Sequence, residues 1–197
     1  MRQIRPSGGM LRKAGKLSTG KFYQHECRWE HGGDGGLATI HYRTEILNGG
    51  NDNFLDFDGV LHPEVVDAEP FCCRSLSWAF LRQRPQVDVV FSTSWREFHV
   101  QEELVQFVTQ GGGEDLVSRF IGSTPLVRKL PAEDDYRKRE RECLVWLEGN
   151  GVGGRPCLAL DDVDYWFSSS SPNPHLVDYR TGITPADIAV LLDRVPQ

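Results

Sequence analysis

No stretch of this 197-residue chain approaches the ~18 consecutive apolar residues of a membrane-spanning helix, and its first thirty residues lack the apolar core of a secretory signal. A cytoplasmic protein with no membrane partner is expected. Cysteine is scarce: there are five, an odd number, with no C-x-x-C spacing and with Cys72 and Cys73 adjacent, a poor start to a disulfide framework. Free thiols are expected. Basic charge is scarce in most of the chain, since residues 51–197 hold 14 Lys/Arg against 24 Asp/Glu, whereas residues 1–50 hold 8 against 4. An acidic body therefore follows a basic leader. Apolar residues are not scarce, and a 39% hydrophobic fraction with 25% charged residues is enough to bury a core and excludes a disordered or collagen-like chain.

The leader, residues 1–50, carries ten of the twenty glycines and shows no sustained period of 2 or 3.6. It reads as a poorly ordered arm, with room for one short strand around Leu37–Tyr42. His25, Cys27, His31 and His41 lie in it, but their spacing fits no common zinc pattern.

Residues 51–197 read as one domain in which short apolar runs alternate with helix-period segments. Phe54–Phe57, Val87–Phe91, Phe120–Ile121 and Cys157–Leu160 are expected strands. Leu76, Ala79 and Phe80 fit one face of a first helix, and Val100, Leu104, Phe107 and Val108 one face of a second that stops at Gly111-Gly112-Gly113. A third is expected over Glu133–Leu147. The last opens with Thr184 as N-cap, Pro185 at the first helical position and Asp187 completing a capping box, followed by Ile188, Leu191, Leu192 and Val195. The alternation predicts an α/β fold, a doubly wound, Rossmann-like parallel sheet with sites at the carboxyl ends of its strands.

The run Phe54-Leu55-Asp56-Phe57-Asp58-Gly59-Val60-Leu61 ends an apolar strand in two carboxylates before a glycine turn. In extended chain, positions i and i+2 project to the same side about 6.6 Å apart, so Asp56 and Asp58 can converge on one ligand while Phe57 turns into the core. A calcium loop would need further oxygen ligands and a closing Glu, where this chain has Val60, Leu61 and Pro63. The second strand runs into Ser92-Thr93-Ser94-Trp95-Arg96, an anion site in outline or an ordinary helix N-cap. A third strand ends in Asp161-Asp162. Two acid pairs in one domain would repel unless they share a divalent cation, and oxygen-only ligation points to Mg²⁺.

With these elements in order, residues 52–195 resemble the haloacid dehalogenase (HAD) superfamily of phosphohydrolases, and more closely its small domain in multifunctional RNA-repair proteins. Leu55–Pro63 is similar to the first motif, Phe91–Arg96 to the second and Leu158–Asp162 to the fourth; Ile121–Pro125 and Thr181–Thr184 add support. The resemblance implies a Mg²⁺-dependent phosphomonoesterase in which Asp56 attacks phosphorus to form an aspartyl-phosphate. Asp58 would serve as acid and then base, and Ser92 and a basic residue would neutralise charge. It further implies that Asp56, Asp58 (through its carbonyl), Asp161 and Asp162 surround the metal. Gly59, His62, Thr93 and Arg96 are expected around the substrate. For the third-motif base Arg139 is favoured over Lys138 and Arg141. Trp95 is open to two readings, core packing or stacking on a nucleobase.

About 30 residues separate the first two motifs, and about 40 the second and third, which leaves no room for a large cap domain. An open site beside a basic arm suits a nucleic-acid 5'- or 3'-phosphate. A small phosphometabolite or nucleotide is the enzymatic alternative, and a non-catalytic binding or regulatory module of the same fold is the other.

Overall fold

The structure, a computed structural model, describes residues 9–16, 22–30, 39–46, 51–127, 137–150, 157–171 and 173–196, the first three segments and residue 51 by backbone alone. The chain divides into two units, Met1–Gly49 with Trp146–Arg155, and Gly50–Val145 with Pro156–Gln197.

In the first unit β1 (Gly9–Lys16), β2 (Phe22–Glu30) and β3 (Thr39–Ile46) form an antiparallel meander in the order β1-β2-β3. Gly9 pairs with Trp29, Lys16 with Phe22, and Tyr23 with Ile46. One strand was expected here, around Leu37–Tyr42, and β3 starts two residues later; β1 and β2 were not expected, although Tyr23, Cys27 and Trp29 alternate with Gln24, Glu26, Arg28 and Glu30 along β2. The side chains of His25, Cys27 and His41, and the whole of His31, lie outside the described residues.

The second unit holds β4 (Asn51–Leu55), α1 (Arg74–Gln83), β5 (Val87–Phe91), α2 (Gln101–Thr109), β6 (Phe120–Ser123), the part of α3 (Lys138–Gly149) up to Val145, β7 (Cys157–Asp161), β8 (Pro174–Leu176) and α4 (Pro185–Arg194). Its five strands pair in parallel in the order β6-β5-β4-β7-β8. From β4 the chain winds outward through β5 and β6, then returns to β4's other edge to build β7 and β8. The order reverses between β4 and β7, and such a reversal opens a crevice at the carboxyl ends of the strands.

All five residues of β5 are buried, as a central parallel strand covered on both faces requires. Phe57 meets Phe91 edge to face and Phe91 stacks on Phe120, with ring centroids 5.4 Å apart at each step; fully burying each phenylalanine contributes about 2–3 kcal/mol. Leu104 and Val108 of α2 and Leu191 of α4 belong to the same buried cluster. The helix faces follow the expected pattern with two corrections: Val100, expected on the buried face of α2, is its exposed N-cap residue. In α1, Ala79 is exposed and Trp78 is buried in its place, its indole donating to the Val108 carbonyl at 2.8 Å. α4 begins as expected, with Thr184 and Asp187 in reciprocal hydrogen bonds and Pro185 in the first turn. Of the expected third helix, residues 133–136 lie outside the described residues. Among the described residues no domain interrupts the sheet: one helix lies between β4 and β5, and one helix with short 3-10 turns between β5 and β6. Nor is any described helix long and apolar enough to cross a membrane.

Candidate active site

Asp56 stands one residue beyond β4, with its backbone N–H bonded to the Leu160 carbonyl at 3.0 Å, so the ladder with β7 fixes where its side chain starts. Phe57 turns into the core and is fully buried. Its N–H donates to Asp56 Oδ1 at 2.7 Å. The chain then doubles back through Leu61 N–H to the Phe57 carbonyl, and Ile183 N–H clasps the Val60 carbonyl, both at 2.8 Å. Gly59 makes this reversal with φ +66°, and a Cβ there would lie 2.4 Å from Asp162 Oδ2. Expected near substrate, Gly59 thus has a definite task in the structure: it makes room for a carboxylate.

Carboxylate oxygens of Asp56, Asp161 and Asp162 all lie within 4.8 Å of one another. Asp56 and Asp161 are buried and Asp162 half-buried. Burial, then the charge of Asp56, raises Asp161 well above the usual carboxylate range and Asp162 to about 6. Asp56 is raised too, by burial, against the opposing pull of Arg139. The Asp58 carboxylate is outside this group: its oxygens accept from Trp95 Nε1 at 3.1 and 3.0 Å and meet His62 Nε2 at 3.2 Å. The two acids of the first pair therefore do not share one ligand through their side chains, and only the Asp58 carbonyl is left for the metal contact expected of it. The His62 hydrogen bond comes first among the influences that hold the Asp58 pKa down, and Trp95 adds to it.

The basic partner comes from the first turn of α3. Arg139, 2% exposed, directs Nη2 to Asp56 Oδ2 at 3.5 Å, Nη1 to Glu142 Oε2 at 3.2 Å and Nε toward Asp161 Oδ2 at 4.0 Å. The Trp166 ring lies under its guanidinium, 4.7 Å from centroid to Cζ. Burial alone would push the Arg139 pKa down, but Asp56, Asp161 and Glu142 together keep it raised. Glu142 is 0% exposed and also accepts from Arg96 Nη2 at 2.5 Å. Two guanidiniums, Arg96 and Arg139, thus face four carboxylates, Asp56, Asp161, Asp162 and Glu142, a deficit of two positive charges in a buried site. One divalent cation would close it, and three hard oxygen donors on two adjacent strand ends suit Mg²⁺.

Residues 54–188 match the model of the family described as the HAD domain in Swiss Army Knife RNA repair proteins. The chain belongs to this family. Searches of curated proteins and of solved structures each found no match. Membership suggests a phosphohydrolase.

Three assignments change within the HAD domain. The hydroxyl that helps to hold down the Asp56 pKa is that of Thr93, whereas Ser92, expected as the catalytic hydroxyl, faces the buried Cys143 with its Oγ 4.0 Å from Sγ. Arg96, expected at substrate, has its donors taken up by protein: Nε by the Thr124 carbonyl at 3.0 Å, Nη1 by the Thr93 carbonyl and Nη2 by Glu142. It is a wall of the site, and Thr124, next to the supporting motif at Ile121–Pro125, helps to hold it. His62 meets Asp58 directly. Of the three basic candidates in α3, Arg139 is the one that lies against Asp56 and near Asp161. The four cysteines with described side chains, Cys72, Cys73, Cys143 and Cys157, are free. Glu142 was missed because it lies in none of the motifs, an acid three residues after the favoured arginine being its signal, and the Trp95–Asp58 bond because it joins two motifs 37 residues apart.

Proposed function

We propose that the chain is a Mg²⁺-dependent phosphomonoesterase that works through an aspartyl-phosphate on Asp56. The observation that carries this reading is the nest of Asp56, Asp161 and Asp162 with Arg139 laid against Asp56. Asp56, Asp161 and Asp162 would hold the ion, with the Asp58 carbonyl, and it would supply charge neutralisation between the carboxylate nucleophile and the anionic phosphoryl group. Asp56 attacks phosphorus. Arg139, fixed by Glu142 and Trp166, steadies the charge that builds on the phosphoryl oxygens, and the Thr93 hydroxyl donates beside them. Asp58 gives its proton to the leaving oxygen and later takes one from the attacking water. His62 and Trp95 hold its pKa low, and the arrival of a phosphate dianion raises it, so the acid is formed when substrate is present.

For substrate we infer a nucleic-acid terminal phosphate. The absence of an inserted domain among the described residues leaves the site open to a macromolecular end, and the basic leader offers charges for a phosphate backbone. The test is hydrolysis of a generic aryl phosphate, 5'- and 3'-phosphorylated oligonucleotides and free nucleotides, with Mg²⁺ or chelator. Expected are Mg²⁺-dependent turnover and a kcat/KM for an oligonucleotide end above that for nucleotides, falling as salt rises. Turnover unaffected by chelation would refute the mechanism; a preference for free nucleotides or small metabolites would refute the substrate class.

A further inference from the structure

Asp58 is substantially open, its side chain 41% exposed. A carboxylate on an open turn rotates unless it is held, and proton transfer to a leaving oxygen depends on one oxygen being held in line. The indole Nε1–H of Trp95 reaches both oxygens, at 3.1 Å from Oδ1 and 3.0 Å from Oδ2. Indole nitrogen only donates, so this contact orients an acceptor. Its own position is fixed on several sides: Phe57, Phe71 and Phe107 make edge contacts with the indole at 5.8, 5.3 and 5.7 Å between centroids. Trp95 N–H also bonds Thr93 Oγ1 at 3.3 Å, so one backbone turn aims the hydroxyl beside Asp56 and the indole beside Asp58. His62 completes the hold from four residues along the chain, Nε2 to Oδ1 at 3.2 Å. Its Nδ1 is buried without a partner, so the tautomer that leaves no N–H orphaned carries the proton on Nε2 and donates it to Asp58.

Resting on the phosphohydrolase reading, we propose that Trp95 is the positioning residue of the general acid–base Asp58, with His62 as its second support. Oδ1 accepts from two donors and Oδ2 from one, which makes Oδ2 the oxygen that exchanges protons. As Asp56 bonds to phosphorus and the ester P–O bond breaks, the Oδ2–H proton passes to the leaving alcohol oxygen and its bonding pair stays on Oδ2. In the second half, Oδ2 takes a proton from water as that oxygen bonds to phosphorus and the P–O bond to Asp56 breaks.

The test is a double-mutant cycle between Trp95→Phe, which keeps an aromatic ring and removes the N–H, and Asp58→Asn, measured on an alkyl and an aryl phosphate with Mg²⁺. A poor leaving group needs its proton and a good one does not. Trp95→Phe alone is expected to lower kcat on the alkyl ester by about 10- to 50-fold and on the aryl ester by less than about threefold, with KM within about twofold. In the Asp58→Asn background it is expected to cost less than about twofold on either substrate. Equal losses on both esters, or the full loss repeated without Asp58, would overturn the role. Should Trp95→Phe fail to fold, His62→Leu enters the same cycle, with an alkyl-selective loss of about 3- to 10-fold expected and its absence counting against the proposal. A wild-type protein without Mg²⁺-dependent aryl phosphatase activity would refute the hydrolase reading and this role with it, whereas an active wild type with a leaving-group-blind Trp95→Phe refutes the role alone.

Discussion

Gly59→Ala separates the metal site from the fold more sharply than removal of any carboxylate. The added Cβ would lie 2.4 Å from Asp162 Oδ2 and 2.5 Å from its Cγ, on a residue held at φ +66°. The left-handed backbone costs about 1–2 kcal/mol for a non-glycine residue. Restoring ordinary contact at roughly 3.5 Å moves the Asp162 carboxylate by about 1 Å away from the strand ends that carry Asp56 and Asp161. Misplacement on that scale is worth about tenfold to a hundredfold in catalysis. Gly111→Ala supplies the control, because Gly111 has φ +85° and its added Cβ meets only Arg74 Nη2 at 3.5 Å. It shares the backbone cost and leaves the acids alone. In calorimetry both variants should lose about 2–8 °C of Tm. Only Gly59→Ala should need about tenfold more Mg²⁺ for half-maximal aryl phosphate hydrolysis, a change of about 1.4 kcal/mol. If folded Gly59→Ala keeps the wild-type Mg²⁺ midpoint and turnover, Asp162 has no part in the metal site and the reading of the acid nest is wrong.

Burial, ahead of mutual repulsion, raises Asp161 and Asp162, the latter to about 6, so the folded state binds these protons more tightly than the unfolded chain. For Asp162 the destabilisation is then complete above pH 6 and is relieved as pH falls through 6 toward the ordinary value of 3.8, and Asp161 acts in the same direction. Chelated protein should therefore gain Tm from pH 8 to pH 5, and Mg²⁺ should raise Tm more at pH 8 than at pH 5; an equal Mg²⁺ shift at every pH would contradict this. Glu142→Ala leaves Arg96 and Arg139 without their shared buried partner and should cost about 3–5 kcal/mol in denaturant unfolding, whereas Glu142→Met combined with Arg96→Met should recover part of it. A loss below about 1 kcal/mol for Glu142→Ala would remove Glu142 from its assigned role. Thr93→Val should reduce turnover by at least about tenfold and Ser92→Ala by less than about threefold; the reverse order would restore Ser92 to the site.

What could be read from sequence was local. The first motif's strand-to-turn switch and the α4 capping box involve neighbours within a few residues, and both stand where expected. Ser92 against Thr93 could not be resolved, because β5 is buried on both faces and its apolar run has no alternation to show which hydroxyl points to β4. The face of α1 was misphased for a related reason: Ala79 and Trp78 both count as apolar, and only the Val108 carbonyl on α2 decides that the indole goes in. Arg96 was misassigned since its partners, Thr124 and Glu142, arrive from β6's end and α3, far along the chain. The edge strand β8 is three residues long, too short to carry any period.

The most direct test of the central claim is to trap the covalent intermediate. Protein quenched during steady-state turnover with Mg²⁺ and treated with borohydride should convert a phosphorylated aspartate to homoserine, and peptide mass analysis should find that change at Asp56 and at no other acid. It should be absent without Mg²⁺ and in Asp56→Asn, whose turnover should fall by at least about three orders of magnitude with the fold intact. Homoserine at another position, or full turnover by folded Asp56→Asn, would contradict the account.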